Sequence, residues 1–198
     1  MKTMRLLVIG LLYYALAFAT PIPNSLSPEY EKLLEDPAPL YEQPPTDLEL
    51  FLDALGWQES GNRYHITNRY GYMGRYQFGR ATLRALGYDV TRSEFLSSPE
   101  LQEEAMLKLL THNKDNMQYY ISRYAGKKVH GVHVTESGML AAAHLVGPGR
   151  VKEFLRSGHI TRDGNNVPLT SYMRMFAGYD IGSLLFVEDS DSFAAVAP

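Results

Sequence analysis

Cysteine is missing from all 198 residues, which excludes disulfides, thiolate metal sites, a cysteine nucleophile and a lipid-bearing cysteine. A basic excess is missing as well. Nineteen Lys and Arg face 22 Asp and Glu, a net charge of −3, so no cationic field is available to hold nucleic acid by counterion release. No apolar run approaches the ~20 residues needed to cross a bilayer. Tryptophan occurs once, at Trp57, whereas tyrosine occurs 14 times; tyrosine brings flat apolar faces with a hydrogen-bonding tip, suited to ordinary cores and to sugar-lined grooves. Hydrophobic residues make up 45% and charged residues 21%, the balance of a soluble globular protein rather than a disordered, collagenous or polytopic one. The length suits one domain with appendages.

The first segment reads as an export signal over 1–19. Lys2 and Arg5 precede an uncharged apolar run, Leu6 to Phe18, and Ala17-Phe18-Ala19 places small residues where a signal peptidase reads them. That pattern predicts cleavage after Ala19 and no stable membrane insertion of the mature chain. Loss of Lys2 and Arg5 leaves 17 basic against 22 acidic residues, a charge of −5. Residues 20–45 read as a linker: seven of the 11 prolines lie between Pro21 and Pro45, and proline fixes its own φ and donates no amide. The globular domain is expected at 46–182, and 183–198 as a small, acidic tail.

Within the domain, Thr46-Asp47-Leu48-Glu49 has the form of a capping box. Leu48, Phe51, Leu52 and Leu55 follow at helical spacing, and Gly61 offers a left-handed stop. Ser98-Pro99 opens a second long helix whose face carries Met106, Leu110, Met117, Tyr120, Ile121 and Tyr124. Thr135 opens an alanine-rich helix reaching Leu145 and ended by Gly147-Pro148. Val151–Leu155 and Ser171–Ala177 read as shorter helices. Strand signals are weak at Val129–Val134, and Arg69–Phe78, rich in Tyr and Gly, reads as a hairpin or an irregular loop. The expected class is mainly α, with that Gly/Tyr-rich segment after the first helix.

Glu59 carries the strongest chemical signal. It follows Leu55 by four residues and Leu52 by seven, so it falls on the apolar stripe of its helix. A carboxyl at the core side of a helix end loses hydration, which favours its protonated form, and the negative end of the helix dipole acts in the same direction. A protonated carboxyl is what a general acid requires. The plainer alternative is a frayed helix end that turns the carboxyl to solvent, or pairing with an arginine.

Glu59-Ser60-Gly61, followed by Gly71, Gly74 and Gln77 with 18 residues from Glu59 to Gln77, resembles the catalytic stretch of soluble lytic transglycosylases and goose-type lysozymes. Ala141-Ala142-Ala143-His144 and Gly147-Pro148-Gly149 resemble the later alanine-rich helix of that family, and Tyr172 resembles its tyrosine near the end of the domain. The resemblance spans Phe51 to Tyr179. It implies a lysozyme-like, two-lobed helical fold with a groove for peptidoglycan glycan strands. It further implies that Glu59 serves as the single catalytic acid/base, and that Ser60, Gly74, Tyr76, Gln77, His144 and Tyr172 bind substrate. The implied chemistry is a lytic transglycosylase acting on the bond between N-acetylmuramic acid and N-acetylglucosamine, without cofactor or metal, in an exported monomer of the bacterial wall, periplasmic or extracellular. The alternatives are a hydrolytic muramidase, which needs a second carboxylate, and a non-catalytic glycan binder on the same fold. Two departures from the family pattern stand out: Arg75-Tyr76 inside Gly-x-x-Gln, and His144-Leu145 where the family shows Tyr-Asn. His144 could replace a lost hydrogen-bond donor to the N-acetyl group or to Glu59.

The remaining motifs are weaker. His130 and His133 offer two imidazoles three apart, too few for zinc. Tyr64, Tyr70, Tyr72 and Tyr76 suit either loop packing or sugar stacking. Arg63, Arg69, Arg75 and Arg80 suggest a cationic loop for an anionic glycan, or a solvated face. Asp163-Gly164-Asn165-Asn166 reads as a tight turn rather than a calcium loop, and no motif surrounds Asp163 or Glu94.

Overall fold

A computed structural model describes residues 45–182. The export signal expected at 1–19, all but the last residue of the linker expected at 20–45, and the tail expected at 183–198 lie outside the described residues. The described part is mainly helical, with seven helices and one two-stranded sheet.

Helix α1, Asp47–Ser60, starts where Thr46 and Glu49 close their capping box: Thr46 Oγ1 accepts from the Glu49 amide at 3.2 Å, and Glu49 Oε2 accepts from the Thr46 amide at 2.6 Å. It buries Phe51, Leu52 and Leu55 and stops at Gly61, where φ is 66° and the amide donates to Trp57 O. Both ends are therefore fixed locally, which places Glu59 in the last turn. The segment after it is an irregular loop rather than a regular hairpin. Met73 makes isolated bridges to Thr67 and to Phe78, and the turns between them put Gly71, Gly74 and Gln77 at positive φ.

Two short helices, α2 (Arg80–Ala85) and α3 (Arg92–Ser97), follow; the sequence reading did not foresee them. With six residues each, neither is long enough for a 3.6-residue period to emerge. A signal was nevertheless present. Thr91 and Glu94 form a second capping box, so Glu94 does belong to a motif, and its hydrogen bonds from Thr91 hold the carboxyl below the usual range.

Helix α4, Pro99–Tyr124, is capped by Ser98 and buries Gln102, Asn113 and its apolar stripe. Strands β1 (Lys128–Val129) and β2 (Val132–His133) pair antiparallel across His130 and Gly131, both at positive φ, as a two-residue hairpin turn requires. The two histidines thus serve a hairpin: the His130 ring packs edge-on against Phe154.

Helix α5, Glu136–Val146, is buried continuously from Ser137 to Ala143 and packs against α4, α6 (Pro148–Ser157) and α7 (Leu169–Met175). Its small residues permit close approach. At Gly138 a Cβ would lie 2.4 Å from Met173 O, so only glycine lets α7 come this near. Tyr172 and His144 are thereby carried on two elements clamped to each other, both reaching toward the end of α1.

Candidate active site

The Gly/Tyr-rich loop is held from below. Gln102, fully buried on α4, accepts from the Arg75 amide at 2.8 Å and donates to Tyr64 O at 3.1 Å and Phe95 O at 2.8 Å. Arg75 turns inward: its Nη1 donates to Glu103 Oε1 at 2.9 Å and to Tyr64 Oη at 2.9 Å, its Nη2 pairs with Asp53 at 3.2 Å, and its Nε donates to Asn62 Oδ1. Tyr76 Oη donates to Glu103 Oε2 at 2.6 Å. Burial above all, then the Glu103 charge, pushes the Tyr76 phenol far above its ordinary range, so it stays a donor. Gly56 makes room for this knot, since a Cβ there would lie 2.5 Å from Arg75 Nε.

The upper side of the loop lines a cleft of about 430 Å³. Its lining includes Glu59, Asn68, Tyr70, Tyr72, Gln77 and Phe78 together with His144 to Val146, Arg150 and the turn Thr161–Asn165. At the centre, Tyr172 Oη donates to Glu59 Oε1 at 2.7 Å. Burial first, and the Glu59 charge second, raise the phenol well above its ordinary range, so the proton remains on tyrosine and the bond has one direction. His144 Nε2 lies 3.8 Å from the same carboxylate oxygen and 3.0 Å from Tyr76 O. A carbonyl only accepts, so Nε2 carries a proton, and Nδ1 is buried without a hydrogen-bond partner. The Glu59 side chain keeps 14% of its surface exposed, enough to meet a ligand and too little for full hydration.

The residues singled out from sequence separate into two groups. Glu59, Gln77, His144 and Tyr172 converge: the first three line the cleft, and Tyr172 holds Glu59 from behind. Gln77 Nε2 donates to Gly74 O at 2.9 Å, leaving its amide oxygen for a donor in the cleft. The others lie elsewhere. Tyr76 is fully buried, so its side chain faces Glu103 and not a ligand. Ser60 is buried at the helix end, where its Oγ donates to Gly56 O and accepts from the Arg63 amide. Gly74 meets Gln102 rather than the cleft: a Cβ there would lie 2.0 Å from Gln102 Oε1. The arginines do not form one cationic loop, because Arg75 is neutralised by Glu103 and Asp53. Among the tyrosines, Tyr70 and Tyr72 are the exposed pair on the cleft wall.

Asp163 is the residue that the sequence reading passed over. It lines the cleft while its Oδ1 accepts from the Asn165 and Val167 amides at 3.0 and 2.7 Å. The tight turn foreseen at 163–166 is present; what its local pattern could not reveal is the wall on which the turn sits.

No protein-family model, curated protein or solved structure matches this chain.

Proposed function

We propose that this protein is a peptidoglycan-cleaving lytic transglycosylase with a lysozyme-like, two-lobed fold, in which Glu59 is the single acid/base. The observation that supports this best is the hydrogen bond from Tyr172 to Glu59 across 113 residues of chain: motifs that resemble the family separately also meet in space, at a cleft. In the proposed reaction the Glu59 carboxyl gives its proton to the glycosidic oxygen between N-acetylmuramic acid and N-acetylglucosamine, and the C–O bond breaks. The carboxylate, held by the Tyr172 hydroxyl, then takes the proton of the muramyl 6-hydroxyl as that oxygen closes on the anomeric carbon. Glu59 ends protonated, as it began, and no water enters. Tyr70 and Tyr72 offer faces for sugar rings, and the free oxygen of Gln77 suits an acetamido N–H.

The test is product mass. The purified protein incubated with isolated peptidoglycan is expected to release anhydro-muramyl ends, one water lighter than hydrolysed ends, and Glu59→Gln is expected to release about 10³-fold less. Hydrolysed reducing ends would overturn the transglycosylase reading. Binding without products from the parent protein would leave only a glycan binder.

Asp163 favours one second reading. A hydrolase needs a second carboxylate to guide water or stabilise the cation, and Asp163 is placed on the cleft with Glu59. Asp163→Asn keeps an oxygen for the two turn amides while removing the charge. Under the transglycosylase reading its initial rate stays within about threefold of the parent, whereas a muramidase would lose about 10²-fold or more.

A further inference from the structure

A second surface, built from residues that do not line the cleft, gathers cations around aromatic rings. Tyr120, on the last turns of α4, is met edge-on by Tyr119, with ring centroids 5.4 Å apart, and stacked by Tyr124 at 6.1 Å and 22°. Arg156 from α6 donates to Tyr120 Oη at 3.0 Å. Lys152 lies over the same ring at 5.8 Å and is tethered to Asn116 Oδ1. Arg123 lies over Tyr124 at 5.7 Å, and Lys127 continues the row just past the helix end, its Nζ on Arg123 O. None of Arg123, Lys127, Lys152 and Arg156 makes an ion pair with a described carboxylate. The acidic residues of these elements near the face are Asp115, about one turn before Tyr119, and Glu153, whose carboxylate is taken by Arg150 at 3.0 Å and also feels the Arg156 charge; Glu100, Glu103 and Glu104 lie in the first two turns of α4, at its far end.

Uncompensated cations repel one another, so this face gains when an anion covers it. Its side chains are already held by rings and amides, so little rotamer freedom remains to be lost on binding. Tyr119, 62% exposed, adds a flat apolar platform of the kind that meets a sugar ring. Together these features select a ligand with acidic groups spaced along a carbohydrate.

We propose that this face holds a second, acidic glycan strand of the wall through its muramyl lactyl and peptide carboxylates, while the cleft acts on the first strand. The proposal rests on the peptidoglycan reading for the identity of the strand, not for the existence of the surface. Arg156 also lines a shallow groove with Val146 and Arg150, and those two residues face the cleft, so the surfaces adjoin along α6.

The experiment uses the full chain with Glu59→Gln, sedimented with purified peptidoglycan sacculi in low salt and in about 0.5 M salt. Adding Arg123→Gln, Lys127→Gln and Lys152→Gln is expected to weaken binding by about tenfold in low salt, with the difference closing in high salt. Tyr119→Ala, a substitution at a largely exposed side chain, is expected to weaken binding at both salt concentrations. On the Glu59 background the same substitutions leave cleavage of a short soluble muramyl oligosaccharide unchanged. Undiminished sedimentation of the triple variant overturns the proposal, as does a parallel loss on the short oligosaccharide. Loss of single-stranded polynucleotide binding with wall binding intact would also overturn it. Salt-sensitive wall binding that depends on the three cations, with no cleavage by any protein, would uphold this surface and remove the enzymatic reading.

Discussion

Cleavage of peptidoglycan by the Glu59→Gln protein is expected to fall by about 10³-fold, within the roughly 10²–10⁴ that a positioned proton donor contributes. Glutamine keeps the length and shape of the side chain, and its amide oxygen still accepts from Tyr172 Oη, so the end of α1 remains in place and only the transferable proton is lost. Initial rates of soluble product release, measured beside a thermal melt, separate these effects. A loss smaller than about tenfold at unchanged stability would remove Glu59 from the chemistry. Tyr172→Phe gives the contrast. It deletes one hydrogen bond to a carboxylate, worth about 1.5–3 kcal/mol, so the expected loss is about 10–100-fold at ~1.4 kcal/mol per decade. Equal losses from both variants would mean that Tyr172 itself moves the proton.

Gly74→Ala is expected to be the most damaging small substitution for stability, at about 3 kcal/mol. At φ 74° the new residue occupies the left-handed region, which costs about 1–2 kcal/mol without a glycine. Its Cβ would also lie 2.0 Å from Gln102 Oε1. A flexible surface side chain would swing away, but Gln102 is fully buried and bonded to Arg75 N, Tyr64 O and Phe95 O. Any movement strands buried amide groups. The expected drop in melting temperature is about 6–12 °C for a chain of this size. A raised KM at unchanged stability would instead return Gly74 to the substrate-contacting role inferred from its motif.

The parts legible in the sequence are those whose causes are local. A capping box, a Ser-Pro start and a glycine stop each act within a few residues, so the bounds of α1, the start of α4 and the end of α5 could be read before any contact was known, whereas α6, expected over Val151–Leu155, extends over Pro148–Ser157. Glu59 was legible because its helical stripe is set by Leu52 and Leu55 on the same helix. Tyr76 was not. Gly-x-x-Gln specifies spacing, and whether the intervening side chains face the cleft or the core is decided by Glu103, which lies 27 residues further along. Arg75 turns inward for the same reason, toward a partner 28 residues away. Asp163 belongs to a turn that is legible locally, but its place on the cleft wall follows from the packing of the helices that precede and follow it. Helices α2 and α3 were missed for want of length, although the Thr91–Glu94 pair advertised the second of them.

The contact between Gly138 and Met173 O has a consequence at the Glu59 site, more than a turn further along α5. His144 stands beyond Gly138 on α5, and Tyr172 adjoins Met173 on α7, so the gauge between the imidazole and the phenol that flank Glu59 is set by a spacer one hydrogen atom wide. The tolerance of the site is thus fixed in the dry interior, by a residue that touches neither the carboxylate nor anything bound to it.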